Sequence, residues 1–348
     1  MLKKLFFAAA LLLAPLLVYA AVPSATLSVQ VVPATAAGGP SNMLWGVFPS
    51  GYNQISRKAD FSEGGVDISN GSPFPNCPTN NGSNYPIVVG VGGPAEPNIP
   101  SLSQAASGAY NSTYANTINS FVSAGCASSI YLVRPDNEWW LTCGPTNPWY
   151  DATNNPSCDT SKPAVATPTT FGQAECQYIG VIRSILPNAK IAVYGPNQAN
   201  QAVYTDAVMS LCHPEVISFD LYFSNVFGAS SSQSQWQSYC GSLTTTCTPS
   251  SGLGFLSNYA QGKGVPIFIT EWCSEWHDTT GPHGGDFSTW NFFTWMTQNN
   301  VVGATLFTPG DGGLACDVAA NPQEGIELNA FWGSTSYTGS FWTYKRTP

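Results

Sequence analysis

Two short stretches hold the residue types most able to do chemistry. Residues 130–140 read IYLVRPDNEWW, and residues 265–276 read VPIFITEWCSEW. In the first, an apolar β-rich run reaches Pro135, which cannot donate to a strand ladder and so marks where pairing ends. A polar cluster follows, Asp136, Asn137 and Glu138, and then two indoles, Trp139 and Trp140. In the second, the apolar run over 266–270 brings Glu271 to its tip, with Trp272 directly after it. Two carboxyl groups of this kind, one protonated and one ionised, can divide acid/base and nucleophilic work between them. Indole walls would suit a ligand with both polar edges and apolar faces.

Those two ends need a scaffold that brings them together across more than 130 positions. Strand-like runs recur at 44–48, 87–91, 130–133, 190–194, 216–223, 266–270 and 302–307. Helical patterns lie between them at 113–124, 171–186, 198–211, near 254–261 and at 287–298. Residues 54–86 are rich in Gly, Ser, Asn and Pro, and no strand is placed there; a Ser-rich insertion precedes the helix near 254. Apolar strands alternating with helices call for a parallel sheet covered by helices. The expectation is an α/β fold, a single (β/α)8 TIM barrel with long disulfide-bearing loops. A doubly wound sheet would want a glycine-rich turn after an early strand, and Gly90-Val91-Gly92-Gly93 matches that only weakly.

The first 20 of the 348 residues read as an export signal: Lys3 and Lys4, an apolar stretch, and small residues before a cut after Ala20. The expected organisation is a signal peptide at 1–20, a mature N-terminal leader at 21–40 and one catalytic domain at 41–348. The localisation expected is secreted or periplasmic, with no stable membrane insertion after cleavage. Removing two lysines from the 11 basic residues leaves 9 against 20 acidic ones, a net charge of −11. No basic patch exists to neutralise phosphates, so no nucleic-acid partner is expected. The ten cysteines read as disulfides in an exported chain, with Cys240–Cys247, Cys143–Cys158 and Cys176–Cys212 the favoured pairs. No CxxC occurs and only three histidines are present, so neither a metal nor another cofactor is expected.

In a (β/α)8 barrel the site lies at the C-terminal ends of the strands. Counting back from the run at 302–307 as the eighth, Glu138 follows the fourth strand and Glu271 ends the seventh. At this point Arg134-Pro135-Asp136-Asn137-Glu138 and Thr270-Glu271-Trp272 resemble clan A of the retaining glycoside hydrolases. Phe219-Asp220-Leu221-Tyr222, the Arg-Pro pair and Tyr194-Gly195-Pro196-Asn197-Gln198 are similar to family 26, the β-mannanase group. The chain departs from that family in having Asn137 where it carries His, and in Trp139-Trp140-Leu141-Thr142-Cys143 after the glutamate. Phe307 stands where much of the clan has a sugar-stacking Trp.

The resemblance implies a retaining hydrolase of a β-linked polysaccharide, endo-β-mannanase or β-glucanase-like, with Glu138 as acid/base and Glu271 as nucleophile. Such an enzyme holds its two carboxyls about 5–5.5 Å apart. Asn137 would bond the sugar 2-hydroxyl and Tyr222 would bond Glu271, while Arg134 would sit beside a carboxylate. Trp139, Trp140, Trp272 and Trp45 would wall the cleft, with Phe307 at the stacking position. Glu275 competes with Glu271, and Asp220 reads as a supporting hydrogen-bonding group. The alternative function is a non-catalytic carbohydrate-binding protein on the same barrel; a structural surface protein fits less, since no internal repeat is present.

Overall fold

β-Branched runs of five to eight residues, separated by helices, produce a sheet whose strands all run the same way. The computed structural model describes residues 43–48, 61–66, 79–80, 83–84, 87–91, 102–135, 167–223, 230–250, 252–274, 287–307 and 331. All of them belong to the compact unit Ala34–Pro348. Its main strands are β1 (Leu44–Phe48), β2 (Phe61–Val66), β3 (Ile87–Val91) and β4 (Ile130–Arg134). They continue with β5 (Lys190–Tyr194), β6 (Val216–Phe223), β7 (Ile267–Ser274) and β8 (Val301–Phe307). Every pairing among them is parallel, in the order β1-β8-β7-β6-β5-β4-β3-β2, and β1 also pairs with β2, so the strand order closes on itself. A short antiparallel pair, Thr79–Asn80 with Ser83–Asn84, stands apart from it.

The described helices follow β3 onward. They are α1 (Leu102–Ala106) and α2 (Asn111–Ser123) before β4, α3 (Pro168–Ile185) before β5, and α4 (Ala199–Cys212) before β6. Next come α5 (Ser232–Cys240) and α6 (Gly252–Lys263) before β7, and α7 (Phe287–Gln298) before β8. Strands β4 to β8 thus form a five-stranded parallel half-barrel with its helical cover, and this half carries the site. Local chemistry sets the helix ends. Thr167 caps α3 by accepting from the Thr170 N–H at 3.1 Å, with Pro168 in the first turn. Helix α4 stops at His213, which takes a left-handed φ of 49° just before Pro214.

Two apolar layers follow from the alternation of strand side chains. One small cluster gathers Leu44, Leu132, Ala192, Val216 and Phe268, one from each of five strands, which places it inside the barrel. The larger cluster joins Ile217, Phe219, Leu221 and Phe223 of β6 with Ile267 and Ile269 of β7 to the helices outside. Cys176–Cys212 ties α3 to α4, and Cys240–Cys247 closes the turn after α5, the two expected pairs that fall on described residues. Cys126 and Cys273 are also disulfide-bonded. The expected Cys143–Cys158 pair, the signal segment and the leader lie outside the described residues.

Three expectations about elements change. Strand β2, FSEGGV, lies in the stretch where no strand was placed. Its glycines and two apolar ends leave no β signal, and only pairing with β1 and β3 makes it a strand. The Ser-rich insertion contains α5, capped by Ser231 accepting from the Ser234 N–H at 3.1 Å. Strand β7 also runs on to Ser274, so Glu271 sits within the strand rather than just past its tip.

Candidate active site

Strand β6 shows how the sequence aims its polar residues. Ile217, Phe219, Leu221 and Phe223 face the helices, and the residues between them, Ser218, Asp220 and Tyr222, take the opposite face, into the barrel. On β4 the same alternation puts Arg134 two positions beyond Leu132, a member of the interior cluster.

On β7 the alternation alone would aim Glu271 the wrong way. Phe268 points inward and Ile267 and Ile269 point outward, so a regular strand would turn Glu271 toward the helices and Trp272 into the barrel. The strand is bulged instead. Phe219 pairs with Ile269 and Asp220 with Glu271, so one step on β6 spans two on β7. From the other side, Ala304 pairs with Ile269 and Leu306 with Trp272, two steps against three. Thr270 is the extra residue, and a bulge of this kind redirects the side chains after it. Glu271 turns inward as a result, and Trp272 turns outward.

Inside, the charged groups form one network. Arg134 Nη1 donates to Asp220 Oδ2 at 3.0 Å and Nη2 donates to Glu271 Oε1 at 3.0 Å. The guanidinium is 4% exposed, the Asp220 carboxylate fully buried and that of Glu271 11% exposed. The second Glu271 oxygen, Oε2, accepts from the Tyr222 hydroxyl. Asp220 Oδ1 accepts from the Thr270 hydroxyl at 2.5 Å, so the bulge residue is itself pinned by the network it creates. The Asp220 backbone N–H donates to the Tyr194 hydroxyl at 3.0 Å. Both oxygens of Glu271 therefore meet donors, one charged and one neutral, which fixes the carboxylate's direction.

The expected site residues divide into three groups. Arg134, Tyr222 and Glu271 come together, and Asp220 joins them in the supporting place anticipated for it. Arg134 spends two guanidinium nitrogens on carboxylates, one on Asp220 and one on Glu271. Trp272 goes elsewhere: its side chain is buried among α7 residues, 5.3 Å from the Phe293 ring and 5.9 Å from that of Phe292. The expectation that it walls a cleft is corrected, and the bulge at Thr270 is the reason. Glu138, Asn137, Trp139, Trp140 and Glu275 lie outside the described residues, as do the side chains of Trp45 and Phe307. Trp45 and Phe307 do hold places in β1 and β8, in adjacent strands.

Sequence reasoning passed over Thr270 as a participant, and had Tyr194 only inside a motif. A polar β-branched residue immediately before a strand-end Glu is the one local signal that could have marked the first. Among the described residues no group of three His, Cys, Asp or Glu is placed to hold a metal ion. Among them, too, no helix is long and apolar enough to cross a membrane.

The fold and site together define a parallel α/β half-barrel with an ordered carboxylate near the C-terminal ends of its strands. Solved structures sharing this fold include the catalytic domain of the Bacillus sp. JAMB-750 GH26 endo-β-1,4-mannanase. That match has a TM-score of 0.50 and 10% identity, over 86% of this chain and 89% of that one. A Cellulomonas fimi endo-β-1,4-mannanase double mutant aligns at TM-score 0.45 and 14% identity, covering 85% of this chain and 75% of its own. A fungal β-1,4-galactanase aligns at TM-score 0.44 and 12% identity, covering 72% and 78%. No family model matches the sequence, and no curated protein matches it. The likeness is therefore one of fold.

Proposed function

We propose that the protein is a secreted retaining glycoside hydrolase that cleaves a β-linked polysaccharide by double displacement, on a single (β/α)8 barrel. The observation that carries this reading is Glu271, turned into the barrel by the Thr270 bulge and held at both oxygens by Arg134 and Tyr222. An ionised carboxylate presented in a fixed direction is what attack on an anomeric carbon requires. Glu271 forms the covalent glycosyl-enzyme while Glu138 gives its proton to the departing glycosidic oxygen. Glu138 then takes a proton from water, whose oxygen attacks the same carbon and frees Glu271. Asn137 binds the sugar 2-hydroxyl, and Trp139, Trp140, Trp45 and Phe307 supply stacking faces.

Export by residues 1–20, a leader at 21–40 and a catalytic domain at 41–348 complete the proposal. The two described disulfides suit a chain that leaves the reducing interior. The substrate class is β-mannan or β-glucan, supported by the family-26-like motifs and the mannanase fold match. The test is product release from β-mannan, β-glucan, xylan and chitosan by wild type, Glu271→Ala and Glu138→Ala. Loss in both variants, with azide restoring turnover of Glu271→Ala as an inverted glycosyl azide, is expected. Tight binding of one glycan with no cleavage by wild type would move the protein to the carbohydrate-binding class. Activity surviving Glu271→Ala would make Glu275 the nucleophile to test.

A further inference from the structure

Strand β6 outruns its neighbour. Its pairing with β5 ends at Tyr194 opposite Ser218, with one more bond as the Gly195 N–H donates to the Ser218 carbonyl at 2.7 Å. In a parallel strand, alternate residues direct their N–H and C=O groups to the same side. Ser218, Asp220 and Tyr222 therefore present theirs toward β5, where beyond Gly195 the described pairing supplies no strand. Side chains take its place. The Tyr194 hydroxyl accepts from the Asp220 N–H at 3.0 Å. The Tyr222 carbonyl accepts from the Tyr239 hydroxyl at 3.2 Å and from Gln235 Nε2 at 3.4 Å.

Both donors to Tyr222 sit on α5, and α5 is firmly held. Trp236 is fully buried and its Nε1 donates to the Thr244 carbonyl at 3.1 Å, across the turn closed by Cys240–Cys247. At the other end, the buried Ser232 hydroxyl accepts from the Ser288 N–H at 2.7 Å, joining the start of α5 to the start of α7. The Tyr239 ring meets Phe223 edge-on at 5.8 Å. Helix α5 is thus a bracket anchored at both ends, and its two inward polar groups grip the backbone of the residue whose hydroxyl holds Glu271.

We propose that Tyr239 and Gln235 are positioning residues for the Glu271 carboxylate, acting through Tyr222. This rests on the reading of Glu271 as the nucleophile. Releasing the Tyr222 carbonyl lets the strand end shift, and the phenol moves off the carboxylate it steers. A loss of aim of this size costs roughly tenfold in the rate of the chemical step, the worth of one ordinary hydrogen bond. Substrate affinity is expected to stay near the wild-type value, because both α5 groups bond the Tyr222 backbone carbonyl rather than Glu271 itself.

The test uses Tyr239→Phe, which keeps the ring on Phe223, and Gln235→Met, which keeps the volume, each also combined with Tyr222→Phe. The substrate is the polysaccharide that wild type cleaves fastest in the panel above. Tyr239→Phe is expected to lower kcat about tenfold with KM within about twofold of wild type, and to add nothing further on Tyr222→Phe. A crystal structure of Tyr239→Phe should show the Tyr222 hydroxyl displaced from Glu271. Wild-type kcat in both α5 variants, or a loss repeated in full on Tyr222→Phe, overturns the inference. An unchanged Tyr222–Glu271 contact in the crystal does so without any activity being needed. Turnover persisting in Glu271→Ala would instead overturn the functional reading beneath it.

Discussion

Replacing Arg134 by Met tests whether the buried network is held together by charge. The guanidinium lies between two carboxylates at 3.0 Å each, with exposures of 4% for Arg134, 0% for Asp220 and 11% for Glu271. Methionine fills much of the same volume but, among the described residues, leaves the two carboxylates with no cation between them. Breaking a buried ion pair by removing one partner costs about 3–5 kcal/mol. Against a total stability of about 5–15 kcal/mol, that is a large fraction. With a urea slope of about 3 kcal/mol per molar, a loss of about 4 kcal/mol moves the midpoint down by about 1.3 M. Arg134→Lys should fall between, since one ammonium lacks the fork that meets both acids. Adding Asp220→Asn to Arg134→Met removes one of the stranded charges and should recover part of the loss. The assay is equilibrium urea unfolding with disulfides intact, followed by tryptophan fluorescence and far-ultraviolet dichroism together. A change below about 1 kcal/mol for Arg134→Met, outside the range expected for a buried pair, would refute the reasoning.

Two other expectations concern residues away from the carboxylates. Trp272→Ala should cost about 3–5 kcal/mol of stability through the cavity it leaves against Phe292 and Phe293. The KM of Trp272→Phe should stay at the wild-type value, and a rise in KM would return Trp272 to the cleft. The Tyr114 and Tyr178 rings lie 4.0 Å apart, tilted by 32°, and among the described residues neither hydroxyl has a hydrogen-bond partner. Burial, reinforced by the Glu175 charge, pushes both phenols well above a tyrosine's ordinary range. The native state therefore keeps these protons above about pH 10, where the unfolded chain sheds them, so stability falls as pH rises beyond that point. Each phenol contributes a slope of about 1.4 kcal/mol per pH unit. Replacing both by Phe should flatten the alkaline limb in thermal melts, and an unchanged limb would contradict this.

The sequence by itself determined the rhythm of the chain. Runs such as KIAVY and VISFDLYF are strands in almost any context, because β-branched and aromatic residues suit a pleated, half-buried surface. The inward face of β6, Asp220 and Tyr222 included, was legible from alternation alone. So were Cys176–Cys212, joining two neighbouring helices, and Cys240–Cys247, seven positions apart.

Only the tertiary structure decided where Glu271 and Trp272 point. Both lie on one apolar strand, and their directions depend on a bulge at Thr270 that exists only in the register with β6 and β8. A one-residue insertion in pairing reverses every later side chain, yet it leaves no mark in the order of residues. Strand β2 is a similar case, a glycine-bearing segment made into a strand by its neighbours. Arg134 meets Asp220 and Glu271 across 86 and 137 positions, a meeting set by which strands the barrel brings face to face. Local chemistry chose the residues; pairing between distant strands chose their directions.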